Sequence, residues 1–245
     1  MSNHHQSNED TEPGFQRARS PQQRAQRRQN ILETAAAMLT EIPVADLALN
    51  ELSRRVGLAR SNILRYFESR EAILLEVLDE HILEWAGGLS TAEAQRDEPL
   101  EQRSRRFATE IATSLSKSPV LCDLLTAQAG VLERNVSDDV AFAHLKALLR
   151  VRDMVAVSAR AAVPELTEEQ AEEIIMMINV TVAGSWPFNE PHPALRAAYQ
   201  QHHEVAGIHR SFVPIMTAMV SRGVLGMLTE TKSPLEPSSN QGESS

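Results

Sequence analysis

Between residues 50 and 67 the chain reads Asn50-Glu51-Leu52-Ser53-Arg54-Arg55-Val56-Gly57-Leu58-Ala59-Arg60-Ser61-Asn62-Ile63-Leu64-Arg65-Tyr66-Phe67. No other stretch limits the fold as tightly. Leu52 and Val56 stand one turn apart and share a face of a first helix. Gly57 follows where that helix has to stop. A C′ residue takes the left-handed conformation, which glycine adopts without a Cβ clash. Ile63 and Phe67 form the buried stripe of a second short helix, which leaves Arg60, Ser61, Asn62 and Arg65 facing outward. An α-helix fits the major groove of DNA. Arg can give two hydrogen bonds to guanine, and Asn can pair bidentately with adenine. The plain alternative is a surface helical hairpin with a solvated polar face, since glycine-turned hairpins are common.

The flanking sequence narrows that choice. Upstream, Arg28-Gln29-Asn30-Ile31-Leu32-Glu33-Thr34-Ala35-Ala36-Ala37-Met38-Leu39 has the pattern of a preceding helix. Downstream comes Tyr66-Phe67-Glu68-Ser69-Arg70-Glu71-Ala72-Ile73-Leu74-Leu75. Three helices, their order and the closing aromatic-Phe-x-Ser-Arg-Glu phrase together resemble the N-terminal domain of the tetracycline-repressor (TetR) family. The resemblance implies that Arg60, Ser61, Asn62, Arg65 and Tyr66 meet the major groove or its phosphate walls. It implies that Arg70 and Asn50 hold the DNA backbone. Two positions depart from the pattern. Ala59 stands where the family usually has Ser or Thr as N-cap, and Ala is a poor cap. Leu64 stands where the family usually has a phosphate-touching Tyr, a role left to Arg65 or Tyr66. The turn after the first helix carries Ile42-Pro43 in place of the usual Gly.

Charge agrees with contact at one end. Residues 17–70 hold ten Arg and no Lys against five acidic residues, whereas the whole chain has a formal net charge of −9. A basic module on an acidic body attracts phosphate at one end and repels it elsewhere. Arg17, Arg19, Arg24, Arg27 and Arg28 lie on or before the first helix. They either reach phosphates or a minor groove, or are simply solvated.

The rest of the chain reads as all-α. Residues 1–19 are polar and expected to be a disordered tail, and residues 232–245 a second one. A helix-turn-helix domain is expected over 20–69 and a larger helical ligand-binding and dimerisation domain over 70–231. Ser20-Pro21-Gln22-Gln23 predicts a capped helix start with a capping box, running to about Thr40. Ser69 caps the next long helix, which Gly87-Gly88 ends. Helices are expected after Pro99, after Ser118-Pro119, after Ser137 and after the capping box Thr167-Glu168-Glu169-Gln170. The last one covers roughly Ile208 to Leu228. Pro187, Pro191 and Pro193 mark a long connection before it. The stretch Leu121 to Ser137 is similar to the body of one subgroup of the family, with no ligand attached to that likeness.

Two body segments are apolar over more than one stripe: Ile174 to Gly184, and the run from Phe212 to Met227. Burial on most sides is expected for both. Two such helices from each of two chains make a four-helix interface, which is how members of the family associate. The alternative is that both are core helices of a monomer. A single half-site reader rarely binds tightly alone, which favours a homodimer on a palindromic double-stranded DNA operator.

The resemblance also implies a small-molecule effector inside the body, and the candidate lining residues, chosen by side-chain type, are Trp85, Phe107, Cys122, Met154, Asn179 and Trp186. Large flexible and aromatic side chains suit an adaptable pocket, although ordinary core explains each of them more readily. Enzyme signatures are missing: the sequence has no Gly-x-Ser-x-Gly, no phosphate-cradling Gly-rich loop and no His-Glu-x-x-His. His202-His203-Glu204 is dense in possible ligands, but neighbours on a helix point about 100° apart and do not converge on one metal. No cofactor is expected. With one cysteine, Cys122, no intrachain disulfide framework is possible. No segment is expected to have the apolar length to span a bilayer, and the polar start has no apolar signal-peptide core, which points to a cytoplasmic protein. The expectation is a ligand-responsive DNA-binding regulator, a repressor in most families of this kind. A helix-turn-helix binder without effector is the alternative, and an all-α enzyme or protein-interaction module the remote one.

Overall fold

The computed structural model describes residues 20–94 and 97–229. Both expected tails lie outside the described residues, as do Arg17 and Arg19. Among the described residues the architecture is helical, with no strand.

The N-terminal module holds α1 (Pro21–Leu39), α2 (Leu49–Val56) and α3 (Arg60–Ile63). Ser20 caps α1 by accepting from the Gln23 backbone N–H at 3.2 Å. Ile31, Leu32, Ala35, Met38 and Leu39 bury one face of α1 against Leu52, Ile63 and Phe67. A single 3-10 turn, Val44–Asp46, leads into α2, and Val44 and Leu47 close the core beneath it. Gly57 ends α2 in the left-handed region at φ +71°, as its place in the sequence requires. The reading helix is shorter than the Ile63–Phe67 spacing predicts. It makes one turn, and Phe67 lies beyond it, carried inward by hydrogen bonds from the Tyr66 and Phe67 N–H groups to the Ile63 carbonyl (2.8 and 3.1 Å). The chain has to leave the helix there, because Ser69 begins the next one two residues later.

That next helix, α4 (Arg70–Gly87), is shared by both halves of the molecule. Ser69 accepts from the Ala72 N–H at 3.0 Å and Gly88 is the C-cap. Ile73, Leu74, Val77, Leu78 and Ile82 are fully buried. Below it packs the body: α5 (Leu100–Ser116), α6 (Pro119–Ala127), α7 (Asp138–Ala162), α8 (Glu168–Ser185) and α11 (Phe212–Thr229). α7 packs on α4 and α8, and α11 on α5 and α8. The capping box at Thr167 and Gln170 forms in both directions (3.0 and 3.2 Å). Buried Arg103 clamps the α7–α8 turn to the start of α5. It pairs bidentately with Glu165 (2.5 and 2.7 Å) and donates to the Glu98 carbonyl.

Four expectations need correction. The Pro-marked connection is not a plain loop: it contains a 3-10 turn (Trp186–Phe188), α9 (Pro193–Gln201) and α10 (His203–Ala206), with Pro193 at a first helical position where proline fits. The last helix starts at Phe212 rather than Ile208. The two apolar helices are buried on one stripe only. Ile174, Ile178 and Val182 of α8 are sealed, while Met176 and Val180 are 66% and 64% exposed; on α11, Met216, Val220 and Val224 are sealed and Met219 is half-exposed. Against the expectation that no segment has the apolar length to span a bilayer, α11 is long and apolar enough to do so by length and composition, among the described residues. Its buried stripe packs against α5 and α8 of the body.

Candidate nucleic-acid interface

The reading helix presents what its sequence leaves over once Ile63 is buried. Arg60, Ser61 and Arg65 are exposed, Asn62 and Tyr66 half-buried. The guanidinium groups of Arg60 and Arg65 make no hydrogen bond or ion pair with the described residues, so both are free for an external acceptor. Ala59 is extended and offers no side-chain cap. Leu64 is 41% exposed, an apolar side chain on a surface of cations.

Beside this helix opens a cleft of about 490 Å³ lined by Ala48, Leu49, Asn50, Arg60, Leu64 and Arg70, among others. It sits at the N-terminus of α2. The first bond of that helix runs from the Leu52 N–H to the Ala48 carbonyl, and Ala48 supplies no side-chain cap. The N–H groups of Leu49, Asn50 and Glu51 therefore point outward, and a helix start of this kind attracts anions. Asn50 is exposed at its rim. Sequence reading singled out Asn50 but not the uncapped backbone around it. Ala48 in place of a capping residue is the signal that was available.

Arg70 has two roles to reconcile. Its Nη2 donates to the Val44 carbonyl and, at 3.4 Å, to that of Ala45, and its Nη1 lies 3.6 Å from Glu71. Its Nε is buried without a partner. Arg70 thus fixes the 3-10 turn that precedes α2 and still lines the cleft. Arg24 also borders the reading helix, with Nη2 3.5 Å from the Arg65 carbonyl and its guanidinium near the Tyr66 ring. Arg28 is committed internally, to Glu76 and to the face of Phe67 at 4.4 Å. Arg54 and Arg55 share Glu51, whose carboxyl is pulled down to about 2 by those two hydrogen bonds.

A reader of this shape belongs to a known lineage. Residues 31–77 match the family described as "Bacterial regulatory proteins, tetR family", and residues 79–231 match "Tetracyclin repressor-like, C-terminal domain". The chain belongs to the TetR family of transcriptional regulators. Over 49 residues it is 41% identical to the HTH-type transcriptional regulator EthR of Mycobacterium tuberculosis, and equally to that of Mycobacterium bovis. That match takes in 20% of this chain and 23% of EthR, so the chain aligns with about a quarter of the length of these curated relatives. A TetR transcriptional regulator from Rhodococcus sp. RHA1 shares the fold. Its TM-score is 0.52 at 14% identity, covering 84% of this chain and 96% of that one. A TetR-family structure from Shewanella sp. PV-4 matches at 18% identity and TM-score 0.44, over 78% and 97% of the two chains.

In the body of this TetR-family chain none of the described cavities holds the six expected lining residues together. Trp85 lines a groove of about 900 Å³ between α4 and α5, with Arg106, Thr109, Glu110, Thr113 and Lys117 along it. Its indole N–H donates to Ser114 Oγ at 2.9 Å. Phe107 lines an adjoining cavity of about 530 Å³ that shares Glu98, Gln102, Arg106 and Glu110. Cys122, Met154, Asn179 and Trp186 line none of the described cavities. Cys122 is buried in α6, its thiol pushed up to about 12 by burial and the neighbouring Asp123. Met154 packs over Gly87, where a Cβ would lie 3.3 Å from its Cε. Trp186 donates to Asp123 at 2.7 Å and meets Phe212 edge-on. Asn179 Oδ1 is buried without a hydrogen-bond partner.

Sequence reading missed the joint between the two halves. Glu68 Oε1 accepts from the Ser137 N–H at 2.6 Å, and Ser69 Oγ donates to the Asn135 carbonyl at 3.2 Å. Deeper, buried His144 of α7 bonds Asp79 of α4 at 2.5 Å through Nδ1, while Nε2 faces Gln128 at 3.1 Å. Burial pushes the Asp79 carboxyl up, against the opposing pull of His144.

Proposed function

We propose that the protein is a homodimeric, sequence-specific transcriptional regulator, a repressor that a small molecule releases from DNA. The observation that carries the DNA contact is the pairing of an outward-facing Arg60-Ser61-Asn62 turn with the open N-terminus of α2. Base-edge donors and phosphate-seeking N–H groups thereby share one surface. Asn62 and Arg60 read bases, while Arg65, Tyr66, Asn50 and Arg70 hold the backbone. The exposed apolar stripes of α8 and α11 supply the dimer face, since a monomer in water gains nothing by showing Met176, Val180 and Met219 together. Two readers then stand about one DNA turn apart, roughly 34 Å.

The effector enters the groove between α4 and α5. Trp85 gives it an apolar wall, and Thr109, Thr113, Arg106 and Glu110 give it polar anchors. Because α4 also carries the reader, a ligand that spreads α4 from α5 favours a dimer with a different reader separation. A DNA-binding regulator of this kind acts in the cytoplasm.

Selection from a random-sequence DNA pool at physiological salt tests the first half of this reading. An inverted repeat with half-site centres one turn apart supports it, and recovery of only salt-sensitive, sequence-blind binding refutes it. Solution scattering on free, effector-bound and DNA-bound dimer tests the second half, which an unchanged reader separation in all three states overturns.

A further inference from the structure

Past its first turn, Trp186–Phe188, which packs on α6 and α8, the connection between α8 and α11 has no strong seat among the described residues. None of the α9 residues is buried, and α9 packs chiefly on α10. Tyr199 stacks on His209 at 5.4 Å, which ties the hairpin to itself. Phe188, Leu195 and Ile208 are left exposed. Its start is nonetheless fixed to the body, through Trp186 to Asp123 and through Asn189 Oδ1, which accepts from the Phe212 N–H at 3.4 Å, and its end runs into buried Phe212. A small helical unit with anchored ends and no core has not reached the surface it was built against.

A matching vacancy runs along α7. Phe142, Leu145 and Leu149 follow helical spacing on the side away from buried His144, Val151 and Val155, and all three are more than half exposed. That side borders α8. Arg152, on the edge between the stripe and the core, reaches Glu172 of α8 at 3.2 Å. The stripe therefore runs on into Met176 and Val180, the apolar face already assigned to the dimer.

We propose that residues 186–211 form a strap that crosses the dimer interface and seats Leu195 and Ile208 on the Phe142-Leu145-Leu149 stripe of a second copy. This rests on the homodimeric reading and extends it. Both readers must face one duplex, so the twofold axis runs along the body and keeps equivalent levels together. α8 returns antiparallel to α7 through the short turn 163–167, so the end of α8, where the strap departs, stands level with Phe142 and Leu145. α9 has nine residues, about 13 Å of helix, against a helix–helix spacing of 8–10 Å. It is long enough to bridge from one chain to the next.

The test is disulfide trapping between separately made Leu145→Cys and Leu195→Cys proteins, one carrying a size tag, mixed as intact chains and oxidised. Cys122 is buried with a raised thiol pKa and does not compete. A covalent heterodimer of mixed size is expected. Sedimentation is run on the same samples. If they are dimeric and no mixed cross-link forms, or if a chain carrying both Leu145→Cys and Leu195→Cys closes on itself at monomer mass, the strap is wrong while the homodimer stands. If they are monomeric, both readings fall.

Discussion

Arg60 and Asn62 share one helical turn but not one environment: Arg60 is exposed and Asn62 half-buried beside Ile63. Either side chain, cut back to Ala, is expected to lose roughly 1–3 kcal/mol of operator binding and to relax preference at one or two base positions. Arg70 differs because its Nη2 is spent on the Val44 and Ala45 carbonyls. Arg70→Ala is expected to weaken binding to all sequences alike and to reduce the salt slope by about 1. Titrations against the operator and single-base variants over a range of salt separate the two patterns, and a changed base preference in Arg70→Ala would contradict the assignment. Ala59 offers a gain in place of a loss. It already holds the extended backbone of an N-cap but has no acceptor, so Ala59→Ser is expected to add about 0.5–1 kcal/mol to stability in urea melts. Cys122, with its thiol pushed up to about 12, is expected to resist an aromatic disulfide reagent at pH 8 in the native protein. At that pH only about one thiol in ten thousand is ionised, and an unfolded thiol reacts freely. Rapid labelling of the native chain would show that α6 opens.

At the scale of elements, what the sequence disclosed was local chemistry. Ser20, Gly57, Ser69, Ser137 and Thr167 each sit where their caps form, because a cap is settled within four residues of chain. The helix starts after Pro99, Ser118-Pro119 and Ser137 were legible for the same reason. Phe67 was misplaced onto α3 because its burial is tertiary: it fills the space between α1 and α4 whether or not the helix reaches it. The Pro-rich connection hid two helices, since a proline that ends one helix reads the same as one that starts the next. The six lining residues were chosen for type, and type does not say which wall of which helix a side chain meets. Asp79 and His144 are 65 residues apart, and no spacing rule joins them. The Glu68–Ser137 contact is similarly nonlocal and carries a pH signature. Donation from Ser137 holds the Glu68 carboxyl below its ordinary 4.5. A carboxyl depressed by folding contributes above the unfolded value and is lost as pH falls through the folded one. Hydrogen exchange at the Ser137 amide is therefore expected to stay protected above the ordinary carboxylate range and to lose protection as the pH falls below it, beyond the intrinsic pH dependence. Glu68→Gln should abolish that change, and an identical profile in the variant would mean that the contact does not hold the joint.

For the molecule as a whole the decisive surface is the one a single chain leaves uncovered. Ile178 and Val180 lie two residues apart on α8 and differ in everything but chemistry: Ile178 is sealed in the core and Val180 is 64% exposed. A charge at Ile178 has no partner inside and should unfold the body. A charge at Val180 costs the isolated chain little, because water reaches it. In a dimer two such charges face each other across a desolvated apolar seam, where like charges repel and lose their hydration. Val180→Asp is therefore expected to keep its helical circular dichroism and to melt within a few degrees of the parent. It should sediment as a monomer and bind the operator at least a hundredfold more weakly, since one half-site is then read alone. The order of losses matters: assembly first, affinity with it, fold last. A Val180→Asp protein that remains dimeric and binds the operator as the parent does would move the interface elsewhere on the body. The spacing of the two readers would then have to be set by other helices.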